Sequence, residues 1–212
     1  MKIGIYGGSF DPIHWGHLLL AETCLRECEL DRVIFVPTGA APHKPNRGFA
    51  SAEYRIEMVN IAISGCDEFS TSRFEIDSNA ERNFTVDTLR HFQETLLDPE
   101  LYLILGADMF NDLPNWYQAD EICRIAIPVV AARPNTSAPY YEALAHIVSP
   151  KRLETFRSYL VHMPLIELSS THIRKRLAEG KGIRFQTPRA VEAYIAAHRL
   201  YQFPVDGFVE RW

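Results

Sequence analysis

Short β-branched runs alternate with amphipathic stretches along this chain, and few architectures accept that alternation. IGIY (3–6), VIFV (33–36), LYLIL (101–105), AIPVVAA (126–132) and LIEL (165–168) read as strands, and FSTSRFEI (69–76) as a less apolar one. Between them LLLAETCLREC, AEYRIEMVNIAI, TVDTLRHFQETL and the segment around 140–160 carry helical spacing. Strand, helix, strand in repetition predicts an α/β fold, a doubly wound, mostly parallel sheet covered on both faces. Pro128 removes a ladder donor, so an edge position or a bulge is expected there.

The 212 residues suffice for one substantial domain, and no Gly/Ser linker, low-complexity segment or internal repeat divides them. With 47% hydrophobic and 23% charged residues the chain belongs with ordinary globular proteins, and disorder is set aside. A net charge of −5 gives no global pull toward nucleic acid or an anionic membrane, so neither is an expected partner. Any phosphate binding has to come from a local pocket. The longest apolar run, IAIPVVAA (125–132), is too short to span a bilayer, and Met1-Lys2 leads straight into IGIY with no cleavage region. Cys24, Cys28, Cys66 and Cys123 form no C-x-x-C pair and read as free thiols of a reducing cytoplasm.

The first turn carries the chemistry. In IGIYGGSFDPIHWGH, Gly7-Gly8 follows a strand and lets backbone approach a ligand without a Cβ, while Ser9 adds a hydroxyl. Phe10-Asp11-Pro12 breaks the chain before a helix that starts near His14 to Gly16, and helix N-terminal amides are a ready anion site. His14 and His17 stand three apart and share one face at that positive end. Two imidazoles beside exposed amides suit a polyphosphate whose charge changes during reaction. H-x-x-H can ligate zinc, but no third ligand stands at metalloprotease spacing, and the glycines do not make the dinucleotide G-x-G-x-x-G. Either histidine alone would read as a packed or merely exposed residue. Downstream, LSSTHIRKRL offers hydroxyl caps and then a cation after a strand-like LIEL, a plausible helix start. The loops TGAAPHKPNRG (38–48) and ARPNTSAP (132–139) both follow strands, on the side where open α/β sheets bind ligands.

GGSFDPIHWGH resembles the first signature of the nucleotidyltransferases that carry His-x-Gly-His at the start of their first helix, and Ser169-Ser170-Thr171 with Arg174 resembles their second. The resemblance is nearest to the bacterial nicotinate-mononucleotide adenylyltransferase branch, over about residues 2 to 201. It rests on APHKP (41–45), NFTVDTL (83–89), LGADMFNDLPNWYQADEI (105–122) and AARP (131–134). It implies a Rossmann-like nucleotidyltransferase domain over 1–201, with 202–212 as an extension past the usual end. His172 stands where the family commonly has an acidic residue.

Carried over position by position, the resemblance implies an ATP site of Gly8, Ser9, Phe10, His14, His17, Gly106, Asp108, Ser170, Thr171 and Arg174. Of these, His14, His17 and Arg174 would be catalytic. Lys44, Thr85, Trp116, Tyr117 and Arg133 would meet the nicotinate mononucleotide. Trp116 offers an aromatic face for a pyridine ring, and Lys44 and Arg133 offer cations for a phosphate. For Arg55 a surface or intramolecular salt-bridge role weighs equally with substrate contact, and it is not among them. The implied partners are ATP and nicotinate mononucleotide, with Mg²⁺ riding on the triphosphate rather than in a protein metal site. A homo-oligomer stays open. So do a different acceptor, such as nicotinamide mononucleotide, and a nucleotide-binding regulator without turnover.

Overall fold

The computed structural model describes residues 1–39, 49–78, 82–132, 137–164 and 166–202. Lys44, Arg47 and Arg133, each singled out in the sequence or set in its basic loop, lie outside the described residues, as does the tail from 203 onward. Six strands form one sheet: β1 (Lys2–Gly8), β2 (Arg32–Pro37), β3 (Phe69–Thr71), β4 (Glu100–Gly106), β5 (Ala126–Ala132) and β6 (Leu160–His162). Their order is β3-β2-β1-β4-β5-β6 and every pairing is parallel. The chain therefore winds outward from β1 in one direction and from β4 in the other. Right-handed crossovers then place helices on opposite faces of the two halves, and a crevice opens where the order reverses, at the carboxyl ends of β1 and β4.

The crossovers are α1 (Trp15–Glu27), α2 (Ala52–Ile63), α3 (Phe74–Asp77) with α4 (Thr85–Thr95), α5 (Ala107–Asp112) with α6 (Ala119–Ile125), and α7 (Pro150–Arg157). After β6 come α8 (Ser170–Ala178) and α9 (Arg189–Ala197). Strands covered on both faces need apolar side chains pointing both ways, and Ile3, Val33, Phe35, Tyr102, Val129 and Val130 are wholly buried. Among the described residues no helix is long and apolar enough to cross a membrane.

Two strand expectations are corrected. FSTSRFEI does not run as one strand: β3 ends at Thr71 and α3 begins at Phe74. The Ser72 hydroxyl accepts the Phe74 N–H at 3.2 Å, a local bond that competes with the ladder and turns the chain. LIEL is not the sixth strand either. Ile166–Leu168 are irregular, Leu165 is outside the described residues, and β6 is the shorter Leu160–His162, which begins where the segment read as helical ends. Tertiary pairing selects it: Val130 donates to Tyr159 O at 3.0 Å, and the Tyr159 and Tyr102 hydroxyls meet at 3.1 Å. Pro128 sits in an internal strand, but β6 pairs only from Val130 onward. The Val130 N–H points toward β6, so the nitrogen two residues earlier points to the same side, beyond β6's reach, where no donor is needed.

Candidate active site

The turn after β1 runs from Ser9 to Ile13 with no ladder to satisfy it, so its carbonyls need donors from elsewhere. Four side chains supply them. Arg55 Nη1 donates to Ser9 O at 2.8 Å, Arg174 Nη1 to Asp11 O at 2.6 Å, Ser170 Oγ to Pro12 O at 2.9 Å, and Thr187 Oγ1 to Ile13 O at 2.8 Å. The donors come from α2, from α8 and from the segment before α9. The turn's shape is thus a tertiary product. Asp11 is buried, and its Oδ1 accepts the Ala50 N–H at 3.1 Å and the Tyr201 hydroxyl at 2.6 Å. Burial beside that carboxylate pushes the Tyr201 phenol well above its ordinary pKa, so it remains a donor.

His14 caps α1, and its backbone N–H donates to His17 Nδ1 at 3.2 Å. An accepting Nδ1 leaves the proton of neutral His17 on Nε2, which makes Nε2–H the ring's donor. The two imidazoles stack with centroids 3.6 Å apart and planes 17° from parallel. Gly16 permits this, because a Cβ there would press within 3.1 Å of the His14 ring. Phe10 takes a different place from the one its position in the signature suggests. It is wholly buried, packed edge-on to Tyr6 and His17.

Beside this turn lies a cavity of about 450 Å³. Ser9, Ser51, Ser170 and Thr171 bring hydroxyls to it, and Arg55 and Arg174 bring cations. Ser169 caps α8 by accepting the His172 N–H at 3.2 Å, which fixes Ser170 and Thr171 at the first helical turn. Arg174 Nη2 reaches Thr171 Oγ1 at 3.3 Å, and its guanidinium lies 4.4 Å from the Phe49 ring centroid. Hydroxyls and guanidinium groups are acceptors' partners, the donor set of a phosphate site rather than a metal cage. Among the described residues no group of three or more His, Cys, Asp or Glu side chains is placed to hold a metal ion. Gly8 closes β1, while Gly106 caps α5 with Asp108 exposed in its first turn, at the facing edge of the crevice.

A second cavity of about 220 Å³ gathers Asn83, Phe84, Thr85, Trp116, Tyr117 and Ile122. Residues far apart in sequence, Thr85 on one side and Trp116 and Tyr117 on the other, therefore share one pocket. Trp116 Nε1 donates to Asp112 Oδ2 at 3.2 Å, which orients the indole, and the Phe84 and Tyr117 rings lie 4.6 Å apart. Thr85 opens α4, so the amides of a helix N-terminus lie at the pocket rim.

Sequence reasoning missed Arg55, Asp11, Thr187 and Tyr201. Arg55 is buried, with Nη2 donating to Thr38 O at 2.6 Å and Gly39 O at 3.0 Å. The one signal available for it was its place four residues after the Ser51 cap, on the apolar side of a helix, where an unpaired cation would be costly. Nothing in the sequence marks Thr187 or Tyr201.

The cytidylyltransferase-like family model matches residues 5–176. A protein of Thermomicrobium roseum named probable nicotinate-nucleotide adenylyltransferase is 37% identical over 201 residues, covering 95% of this chain and 92% of its own. A Thermus thermophilus protein of the same name is 40% identical over 202 residues, covering 95% of this chain and 100% of its own. Among solved structures, the Plasmodium falciparum nicotinic acid mononucleotide adenylyltransferase complexed with NaAD superposes with a TM-score of 0.72 at 21% identity. That superposition covers 94% of this chain and 97% of the other, a likeness of fold.

Proposed function

The chain belongs to the cytidylyltransferase-like family, and on that premise we propose that it joins ATP and nicotinate mononucleotide into nicotinate adenine dinucleotide and pyrophosphate. The observation that carries the reading is the pairing of two cavities of different chemistry, one rich in hydroxyls and guanidinium groups, one aromatic. ATP takes the first, with its phosphates toward Ser9, Ser170, Thr171 and Arg174 and its approach framed by Gly8, Phe10, Gly106 and Asp108. The pyridine ring takes the second, against Trp116 with Thr85 and Tyr117 around it. Lys44 and Arg133 are assigned to the mononucleotide phosphate from sequence alone.

No protein nucleophile is needed. The ionised 5′-phosphate of the mononucleotide attacks the α-phosphorus of ATP in line, the Pα–O bond to the β-phosphate breaks, and pyrophosphate leaves with those electrons. His17 Nε2–H donates to the transferring or leaving oxygens, while His14 fixes that ring by stacking and by its own N–H. Arg174 adds positive charge where the leaving group gains negative charge. Mg²⁺ would enter as part of the ATP substrate; among the described lining residues the one carboxylate, Asp11, accepts two hydrogen bonds and lies 3.9 Å from Arg174. Four free thiols fit a reducing, cytoplasmic setting.

The test is direct. The chain is mixed with ATP, Mg²⁺ and either nicotinate mononucleotide, nicotinamide mononucleotide or another phosphate acceptor, and pyrophosphate and dinucleotide are measured. Release with the nicotinate compound is expected. Release only with a different acceptor, or none at all, overturns the reading in favour of another transferase or a non-catalytic nucleotide binder.

A further inference from the structure

The two cavities are joined by a chain of direct contacts that passes through Gly39. Arg55, rooted in α2, donates Nη1 to Ser9 O on the phosphate side and Nη2 to Thr38 O and Gly39 O at the end of β2. Gly39 is seated so tightly that a Cβ built on it would overlap the Glu75 carbonyl oxygen and the Asn83 amide nitrogen. Asn83 Nδ2 donates to Glu75 O at 2.8 Å, and Asn83 itself lines the aromatic cavity. The Glu75 carboxylate is held by Thr88 Oγ1 at 2.8 Å, one turn into the helix that Thr85 opens, and by the Gly39 backbone amide. Every joint in this path is a buried or part-buried hydrogen bond or a close packing contact.

We propose that Arg55 is a positioning residue that locks the phosphate turn to the rim of the acceptor pocket, with Gly39, Glu75 and Asn83 as the rest of the strut. The inference rests on the two-substrate reading above. Its physical basis is the planar guanidinium, which spans carbonyls on two different segments at once; an ammonium is a point donor and cannot hold both in the same geometry. Gly39 has no side chain to absorb a displacement, so a shift of the Thr38–Gly39 carbonyls moves Asn83 and Glu75. In-line transfer depends on the spacing of the two substrates, and this strut sets the spacing of the two sites.

The test reads each substrate from the opposite side. Asn83→Ala and Arg55→Lys are made in the full chain, and KM for each substrate is measured with the other saturating, alongside the melting temperature. Asn83→Ala is expected to raise KM for ATP about threefold to tenfold, although Asn83 lies in the other cavity. Arg55→Lys is expected to raise KM for both substrates and to lower kcat. If folded variants change only the KM of the substrate on their own side, the strut does not exist. A role confined to folding would lower the melting temperature and leave both KM values in place, which also overturns it. Should Arg55→Lys fail to fold, Asn83→Ala decides alone. Failure of the parent chain to make a dinucleotide would count against the functional reading, not the strut, and ATP affinity of Asn83→Ala by calorimetry would then decide the latter.

Discussion

Tyr201 donates its hydroxyl to Asp11 Oδ1 at 2.6 Å, so a residue 190 positions downstream braces the turn that follows the first strand. The bond is buried and its acceptor is a carboxylate. Tyr201→Phe should therefore cost about 1.5–3 kcal/mol of stability, the usual range for a hydrogen bond to a charged partner. The loosened turn should also raise KM for ATP. Urea unfolding checks the first expectation and steady-state kinetics the second; a variant with parental stability would mean that the Ala50 amide and Arg174, 3.9 Å from Oδ2, suffice to hold Asp11.

His17→Ala should lower kcat by about two to three orders of magnitude, the typical loss of one positioned charge-stabilising donor. It should also cost about 1 kcal/mol, because Nδ1 accepts the His14 N–H at the start of α1. For a chain of this size that is a fall of about 2–4 °C in melting temperature. Full activity at saturating ATP would remove His17 from the chemistry, and a much larger thermal loss would make it chiefly a packing residue.

Nicotinate mononucleotide should be preferred to the nicotinamide compound. On the proposed reading the Trp116 face would serve either ring equally, so the discrimination would fall to Thr85 and the amides at the start of α4. Donors aimed at a carboxylate satisfy both its oxygens, whereas a carboxamide turns an NH₂ toward one of them and leaves a donor unpaired. That costs about 1–3 kcal/mol, or roughly 5- to 150-fold in kcat/KM. Side-by-side kinetics with the two mononucleotides measure it, and equal values would void the role of Thr85.

Glu75 gives a pH signature. Burial raises its carboxyl above the ordinary value of 4.5, against the opposing pull of Thr88, the Gly39 amide and Arg55. A carboxyl raised in the native state binds its proton more tightly folded than unfolded. Its contribution is therefore fully present below the unfolded value and lost as pH rises through the native one. Glu75→Gln keeps an acceptor for Thr88 and removes the buried charge. The variant should be more stable than the parent at pH 7, with the gap closing as pH falls to about 4. Thermal melts across that range would show it, and a gap that widens in acid would reverse the assignment.

The sequence by itself determined the sheet's inner strands and the two helix starts beside the turn after β1. Those rest on local information: short continuous apolar runs such as VIFV and LYLIL have the length and all-round apolarity of strands buried on both faces, and Ser169 caps α8 from within its own turn. His14 and His17 were legible because their three-residue spacing places them together on any helix. Only the tertiary structure decided the outer elements and the bracing of the site. Leu160–His162 became a strand, and Ile166–Leu168 did not, because β5 had an open edge at Val130–Ala132 for one short partner. Arg55, Thr187 and Tyr201 acquired their roles because the irregular turn after β1 leaves carbonyls and a carboxylate that no local ladder can satisfy. Those groups are buried only once the fold has closed around them, so the need for distant donors, and with it the identity of the donors, is set by the fold rather than by any window of sequence.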